Sequence, residues 1–495
     1  MDRLAAGGWR LAGETPRRIA VLTPLPPART GVAHYSSMLL PALERAILAL
    51  PPTANRQPPT VHALDTWTSE QLDAYDAVIY QLGNNPFHEA IYSEAMKRPG
   101  VVVLHDLVLH HLIVEMTLAR GDADAYVAAL QASHGSAGAA WARGRAAGLH
   151  SEMGNFLLPA SVDVARRARS VIVHNRYAHD RLRSFGVTTP IHVVPHPYVH
   201  ETRTFERGTM FASDRRVIGF FGFLTSAKRA EVVLEAFRIA RAKDPRLALL
   251  IVGEPAPNID AESLQGEGIV TTGYVADDEF PRYYAIADRF VNLRYPSAGE
   301  TSGTLIRALD AGKPVAVSDY AQFAELPDDV VFKVPLGAGE VERLVEFFTM
   351  ELPSPAAKQR AWLEENAALE KTVAGYLDAL ERRPPADGPY GQRPALPLFP
   401  QLEVVSADPL VIRNTGDATI RTRVYGAPEY RLIVKWLDGD VVVHDQWLAL
   451  PKDLHPGETA EIDLPRRNAD TIRLYHALQD VPMLEPEPWG TARVR

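Results

Sequence analysis

Five short stretches of the sequence gather residue types that can do chemistry. VVVLHDLVLHHL sets His105 and Asp106 directly after an apolar run, with His110 and His111 within the following turn. An imidazole beside a carboxylate can orient, donate or accept a proton near neutral pH. A metal reading, with His105, Asp106 and His110 as ligands, is an alternative with less support, because no further His/Asp set has ligand spacing. FFGFLTSAKRAEVVLEAF puts Gly222 after an apolar run and Lys228 with Arg229 at the start of a helix. Two cations and helix N-terminal amides suit a diphosphate, and a solvated Lys-Arg pair is the plainer reading. PSAGETSGTLIRALDAGKPVAVSD offers Glu300, Thr301, Ser302 and Gly303 ahead of a helix, with hydroxyls for an anion and a carboxylate for sugar hydroxyls, more than a helix cap alone needs. In PLPPARTGVAHYS, Gly31 either admits a phosphate or sugar close to the backbone or serves a plain turn. YQLGNNPFHEAIY clusters Asn84, Asn85 and His88, readable as acceptor-binding or orienting groups or as an Asn-rich turn.

The elements that must carry these stretches alternate. RRIAVL, AVIYQLG, VVVLHD, SVIVHN and IHVVPHP have the length and composition of buried strands, and helical spacing fills the gaps, as in TGVAHYSSMLLPALERAILAL. Such alternation predicts a parallel sheet covered by helices over residues 17–205. RRVIGFFGFL, LALLIVGE, GIVTTGYV, RFVNLRYP and KPVAVSD start a second series over 206–383, which reads as helical throughout from 355. A proline-rich linker follows at 384–400. Over 401–495, short alternating runs punctuated by NTGD, LDGD and HPGE predict a β-sandwich. Residues 1–16 read as a flexible tail. The fold class is thus α/β with two Rossmann-like domains facing a cleft, plus an all-β domain, and ligands are expected at the carboxyl ends of the strands.

With no cysteine among 495 residues, thiolate metal sites and cysteine nucleophiles are excluded. A net charge of −9 with scattered basic residues argues against a nucleic-acid partner. The N-terminal stretch lacks the apolar core of a secretory signal and no apolar run is long enough to span a bilayer, so the expectation is a cytoplasmic protein that can attach peripherally to the inner membrane face. No GxGxxG follows the first strand, which disfavours a nicotinamide-dependent dehydrogenase.

GFLTSAKR, LIVGE, TGYVADDEF and GETSGTLIRALDAGKPVAVSD, in that order, resemble the donor domain of GT-B glycosyltransferases, specifically the retaining family 4 (group 1). The likeness is specific over about 215–335 and weaker over 17–200. It implies a bacterial polysaccharide-biosynthesis enzyme that moves a sugar from a nucleotide-sugar to a glycan or lipid-linked glycan, with retention and with neither metal nor other cofactor. By the same resemblance Lys228 holds the departing diphosphate beside Arg229, and Gly31, Gly222, Tyr274, Thr301, Ser302, Gly303 and Arg307 serve the donor. His105 faces the donor sugar and Glu300 acts with it as a catalytic group, while Asp106 serves the acceptor or orients. The chain departs from the pattern at Gly299 and Arg307, where the family has two spaced glutamates, and at Phe223, where an arginine often precedes the lysine. These departures leave room for a catalytically inactive GT-B protein that binds glycan or a partner enzyme. A GT-B epimerase fits the appended domain poorly. That domain resembles immunoglobulin-like domains of polysaccharide-assembly proteins, with Trp436 and Trp447 as candidates for sugar stacking or for core.

Overall fold

The computed structural model describes residues 18–28, 30–49, 60–148, 152–200, 210–257, 259–262, 264–276, 279–337, 339–381, 401–416, 419–420, 430–478, 481–482 and 488–494. The expected tail at 1–16 and linker at 384–400 lie outside the described residues.

Strands β1 (Arg18–Leu22), β2 (Thr60–Leu64), β3 (Ala77–Leu82), β4 (Val101–Leu104), β5 (Ser170–Val173) and β6 (Ile191–Val193) form one parallel sheet in the order β2-β1-β3-β4-β5-β6. Every residue of AVIYQL, VVVL and SVIV is buried, as a parallel sheet covered on both faces requires. Helices α1 (Gly31–Leu48), α2 (Glu89–Lys97), α3 (His110–Met116), α4 (Ala123–Ala146), α5 (Glu152–Leu157), α6 (Val162–Arg167) and α7 (Arg176–Ser184) fall between or after these strands. Thr30 caps α1 and Asn175 caps α7, each through a side-chain oxygen that accepts an early backbone N–H.

The second series repeats the plan. Strands β7 (Arg216–Phe221), β8 (Leu247–Val252), β9 (Ile269–Thr271), β10 (Arg289–Asn292), β11 (Val315–Ser318) and β12 (Phe332–Val334) pair in parallel in the order β12-β11-β10-β7-β8-β9. Counted within this half, that is the doubly wound dinucleotide-fold order, reversing between β7 and β10, where ligands of such sheets gather. Helices α8 (Ala230–Lys243), α9 (Phe280–Ile286), α10 (Gly303–Asp310), α11 (Glu340–Thr349), α12 (Ala356–Asn366) and α13 (Leu369–Glu381) accompany it.

The stretch expected to be helical throughout from 355 is broken. Ala367 leaves the helical region, its carbonyl accepts the Tyr198 N–H at 2.7 Å, and Ala368 bridges to Tyr198. After this break α13 joins the core of the first sheet, burying Val373, Tyr376, Ala379 and Leu380 among Ile19, Tyr35, Ile79 and Val103. The last helix of the α/β part therefore completes the half that precedes it in the chain.

Both parallel sheets lie in one compact unit, and a second unit holds α4, α5 and the C-terminal strands. There, β13 (Leu402–Ala407), β14 (Leu410–Asn414), β15 (Tyr430–Asp438), β16 (Val441–Ala449), β17 (Thr459–Ile462), β18 (Thr471–Leu478), β19 (Val481–Pro482) and β20 (Gly490–Arg493) form two antiparallel sheets. One is β13-β14-β17, and the other is β16-β15-β18 with β19 and β20 each paired to β18. Leu410, Ile412 and Ile462 of one sheet share a core with Leu432, Trp436 and Leu474 of the other, which makes a sandwich. Trp436 is 2% exposed and belongs to that core, so it does not present a face to a sugar, whereas Trp447 is half-buried.

Candidate functional site at the strand ends

The chain turns sharply where β7 ends. Gly222 has φ +92°, and a Cβ there would stand 2.6 Å from Lys228 Nζ and 3.1 Å from Thr304 Cγ2. A side chain at 222 would therefore wedge apart the lysine and the first turn of α10. Lys228 folds back so that its Nζ donates to Phe221 O at 2.7 Å. Burial, then the charge of Arg294, push the amine well below its ordinary range, and Glu300 acts in the opposite sense. Arg229 parts company with its neighbour. In a left-handed conformation, φ +62°, it sends its guanidinium to Glu340 of α11 through two hydrogen bonds of 3.0 and 2.5 Å. Both side chains of that pair are at most 2% exposed, so Arg229 packs α8 against α11 where the sequence suggested a donor contact.

The β10–α10 loop is built on charge. Arg294 Nε donates to Glu300 Oε1 at 2.8 Å, Ser297 Oγ donates to Glu300 Oε2 at 3.3 Å, and Gln322 Nε2 donates to the Glu300 carbonyl at 2.7 Å. Gly299 has φ +74°, and a Cβ there would lie 2.6 Å from Leu107 Cβ, so the loop needs glycine to pass over the β4–α3 turn. Several contacts tie it to the first half, among them Val108 N donating to Ala298 O at 3.0 Å and Asn175 Nδ2 donating to Gly299 O at 2.8 Å. Thr301 spends its hydroxyl on His174 O, at 3.4 Å. Ser302 caps α10 by accepting from Leu305 N, and its Oγ and that of Thr304 lie 3.2 and 3.3 Å from Asn292 Oδ1. Asn292 Nδ2 is buried without a hydrogen-bond partner. At Gly303 no atom stands within 4 Å of a Cβ, which leaves open space at the first turn of α10. Helix amides, an unspent amide donor and a buried amine thus converge around Gly222, an arrangement that stabilises negative charge.

The first half contributes the loops after β3, β4 and β5. Asp106 Oδ2 accepts from Asn84 N at 2.8 Å, and burial together with the charge of Glu300 pushes its carboxyl up to about 7. Asn84 Oδ1 accepts from Leu112 N of α3 at 3.1 Å, 28 positions away, whereas Asn85 Oδ1 accepts from Phe87 N at 3.1 Å within its own turn. His88 is fully buried, donates through Nδ1 to Gln81 O at 2.9 Å, and is driven by burial to about 4. His105 touches Gln81 through Nε2 at 2.6 Å and His174 through Nδ1 at 3.3 Å. Gly31 opens α1, with no atom within 4 Å of a Cβ, as at Gly303. Arg307 of α10 reaches α1, donating to His34 Nε2 at 2.8 Å, and Tyr274 is 49% exposed on the loop after β9. A cleft between the halves is lined by His174, Asn175 and His196 from one side and Thr301, Ser302 and Trp362 from the other. Among the described residues no group of three or more His, Asp or Glu side chains converges as a metal site.

Sequence reasoning passed over Gln81, Asn175, Asn292 and Arg294. A signal existed for Asn175, since HN closes SVIVHN as HD closes VVVLHD. For the others the partner is remote or lies inside the same loop, with no spacing to betray it.

Residues 215–346 match the family of group 1 glycosyl transferases. No curated protein matches the sequence. Among solved structures, Anabaena Alr3699/HepE in complex with UDP and glucose is 14% identical with a TM-score of 0.46, over 74% of this chain and 100% of that one. Sucrose-phosphate synthase from Thermosynechococcus elongatus is 14% identical with a TM-score of 0.43, over 74% and 95%. S. aureus TarM is 12% identical with a TM-score of 0.38, and this chain spans 45% of its length. The two Rossmann-like sheets and the strand order described above carry the fold assignment. No helix among the described residues is long and apolar enough to cross a membrane.

Proposed function

We propose that the chain is a glycosyltransferase that moves a sugar from a nucleotide-sugar donor to a glycan or lipid-linked glycan acceptor, with retention at the anomeric carbon and without a metal. The observation that carries the reading is the convergence of Lys228, Asn292 Nδ2 and the first turn of α10 around Gly222, inside the segment that matches group 1 glycosyl transferases. A nucleoside diphosphate leaves with growing negative charge, and donors fixed before the reaction stabilise that charge at no cost of reorganisation. Lys228 supplies the cation on the departing diphosphate, and Arg294, held by Glu300, adds a second positive group nearby. Glu300 is paired with Arg294, while burial and then the charge of Glu300 push the Asp106 carboxyl up to about 7. Such a pair suits sugar hydroxyls, with Asp106 able to take the acceptor proton. Retention rests on the motif resemblance over 215–335.

Calorimetric binding of UDP-, GDP- and dTDP-linked sugars, followed by nucleotide release, tests the reading. Tight binding of one donor with slow release, both abolished in Glu300→Gln, supports a transferase. Absence of binding across the panel sinks it and favours a glycan- or partner-binding protein.

A further inference from the structure

The ring of His105 is closed to substrate on both nitrogens, and the hydrogen-bond bookkeeping around it admits only one neutral solution. His174 Nδ1 lies 2.9 Å from Val194 O, which can only accept, so His174 carries its proton on Nδ1 and offers a lone pair at Nε2. That lone pair faces His105 Nδ1 at 3.3 Å. On the other side, His105 Nε2 stands 2.6 Å from the Gln81 amide. If the amide oxygen faces the ring, His105 must hold its proton on Nε2, and two lone pairs confront each other across the histidine pair. A proton added between them would relieve this, but the rings are buried, and burial holds both well below their ordinary range. Turning the Gln81 amide by half a turn, which exchanges two atoms of nearly equal size, resolves everything. Gln81 then donates to His105 Nε2, and His105 Nδ1 donates to His174. Tyr376 donates to the Gln81 oxygen and Tyr35 donates to Tyr376, whose hydroxyls are 2.9 Å apart.

Building on the transferase reading above, we propose that Gln81, turned by Tyr376, is a positioning residue that fixes His105 as the neutral Nδ1–H tautomer, so that His105 serves sugar transfer as an oriented wall and not as an acid or base. The groups facing the ring are all accounted for. Tyr35 of α1 meets it edge-on at 4.5 Å, His174 lies beyond Nδ1, and His88 and His196 approach from the loops after β3 and β6. Each nearby imidazole opposes a second proton on His105. The orientation is imposed from α13, 295 positions away in sequence from Gln81.

The test is nitrogen NMR of the full chain with 15N-labelled histidine, joined to transfer rates and nucleotide affinity. In the unmodified protein His105 shows a protonated Nδ1 and a bare Nε2, with no ring titration between pH 5.5 and 8.5. Gln81→Glu presents a carboxylate that can only accept, so the proton moves to Nε2 and the ring begins to titrate. The transfer rate then falls roughly 10- to 100-fold and gains a pH-dependent limb, while nucleotide affinity stays within about threefold. Tyr376→Phe frees the amide and gives a smaller fall, roughly tenfold, again with affinity kept. A protonated Nε2 or a titrating His105 in the unmodified chain overturns the tautomer, and an unchanged tautomer in Gln81→Glu overturns the role of Gln81. Failure of the transferase reading is separate: no nucleotide binds, and the positioning role falls with it, while the ring signals still decide the tautomer.

Discussion

Replacing Lys228 by methionine keeps the buried stem and removes only the amine, which makes it the sharpest probe of the proposed diphosphate site. In the free protein that amine has Phe221 O at 2.7 Å and the charge of Arg294 nearby, and it is pushed well below its ordinary range, chiefly by burial. A diphosphate placed at Gly222 brings a counter-charge that favours the protonated amine. A charge-assisted hydrogen bond contributes about 1.5–3 kcal/mol, and every 1.4 kcal/mol is tenfold in affinity. Lys228→Met should therefore weaken binding of a nucleoside diphosphate roughly 10- to 150-fold. The sign of the pH effect follows from the same shift. The ligand prefers the protonated amine, so binding weakens as pH rises through the range where the amine titrates, and this effect is absent in the methionine variant. Calorimetry of both chains across a pH series reads both at once. Affinity of the variant within twofold of the unmodified chain, or an affinity of the unmodified chain that does not fall as pH is raised through the titration of the amine, would refute the reasoning.

Removing Arg229 separates it from Lys228. Arg229→Met leaves Glu340 charged and buried without its partner, at a cost of about 3–5 kcal/mol, so the thermal transition of the α/β part should drop while nucleotide affinity at a temperature where the fold persists is kept. Asp106→Asn should erase an inflection near pH 7 from the rate profile. Because the folded-state carboxyl sits at about 7, above its unfolded value, its neutral form is the one the fold favours. That contribution is complete below the unfolded value of about 3.9 and is lost as pH rises through about 7. Thermal unfolding of the unmodified protein relative to Asp106→Asn should then move down between pH 5 and 8.

The inner strands were legible because runs such as AVIYQL, VVVL, SVIV and LALLIV are buried along their whole length, and the turns that follow them stand out by contrast, whereas β2, TVHAL, and β12, FKV, are only part-buried and gave no such signal. His105 and Asp106 stood out for the same reason, directly after β4, and Lys228 and Glu300 in the loops that follow β7 and β10. The fate of Arg229 was not, since a Lys-Arg pair does not disclose that the second residue adopts φ +62° and finds Glu340 111 positions away. Arg294 escaped because RFVNLRYP reads as strand, and only the folded loop turns its guanidinium onto Glu300. Gln81 looks like one more residue of a buried strand until α13 arrives with Tyr376. The tryptophans of the sandwich were ambiguous in an alternating strand, and the pairing of the two sheets placed Trp436 inside.

The placement of α13 has a consequence for how the chain is made. The first sheet is complete in strands at Val193, yet the helix that covers Ile19, Tyr35 and Ile79 ends at Glu381. At a synthesis rate of roughly 5–20 residues per second, that apolar face waits on the order of 10–40 s on the ribosome for its cover. An N-terminal fragment ending near residue 200 should bind folding helpers and resist purification as a monomer. The nascent chain is exposed to chaperones throughout the synthesis of its entire second half.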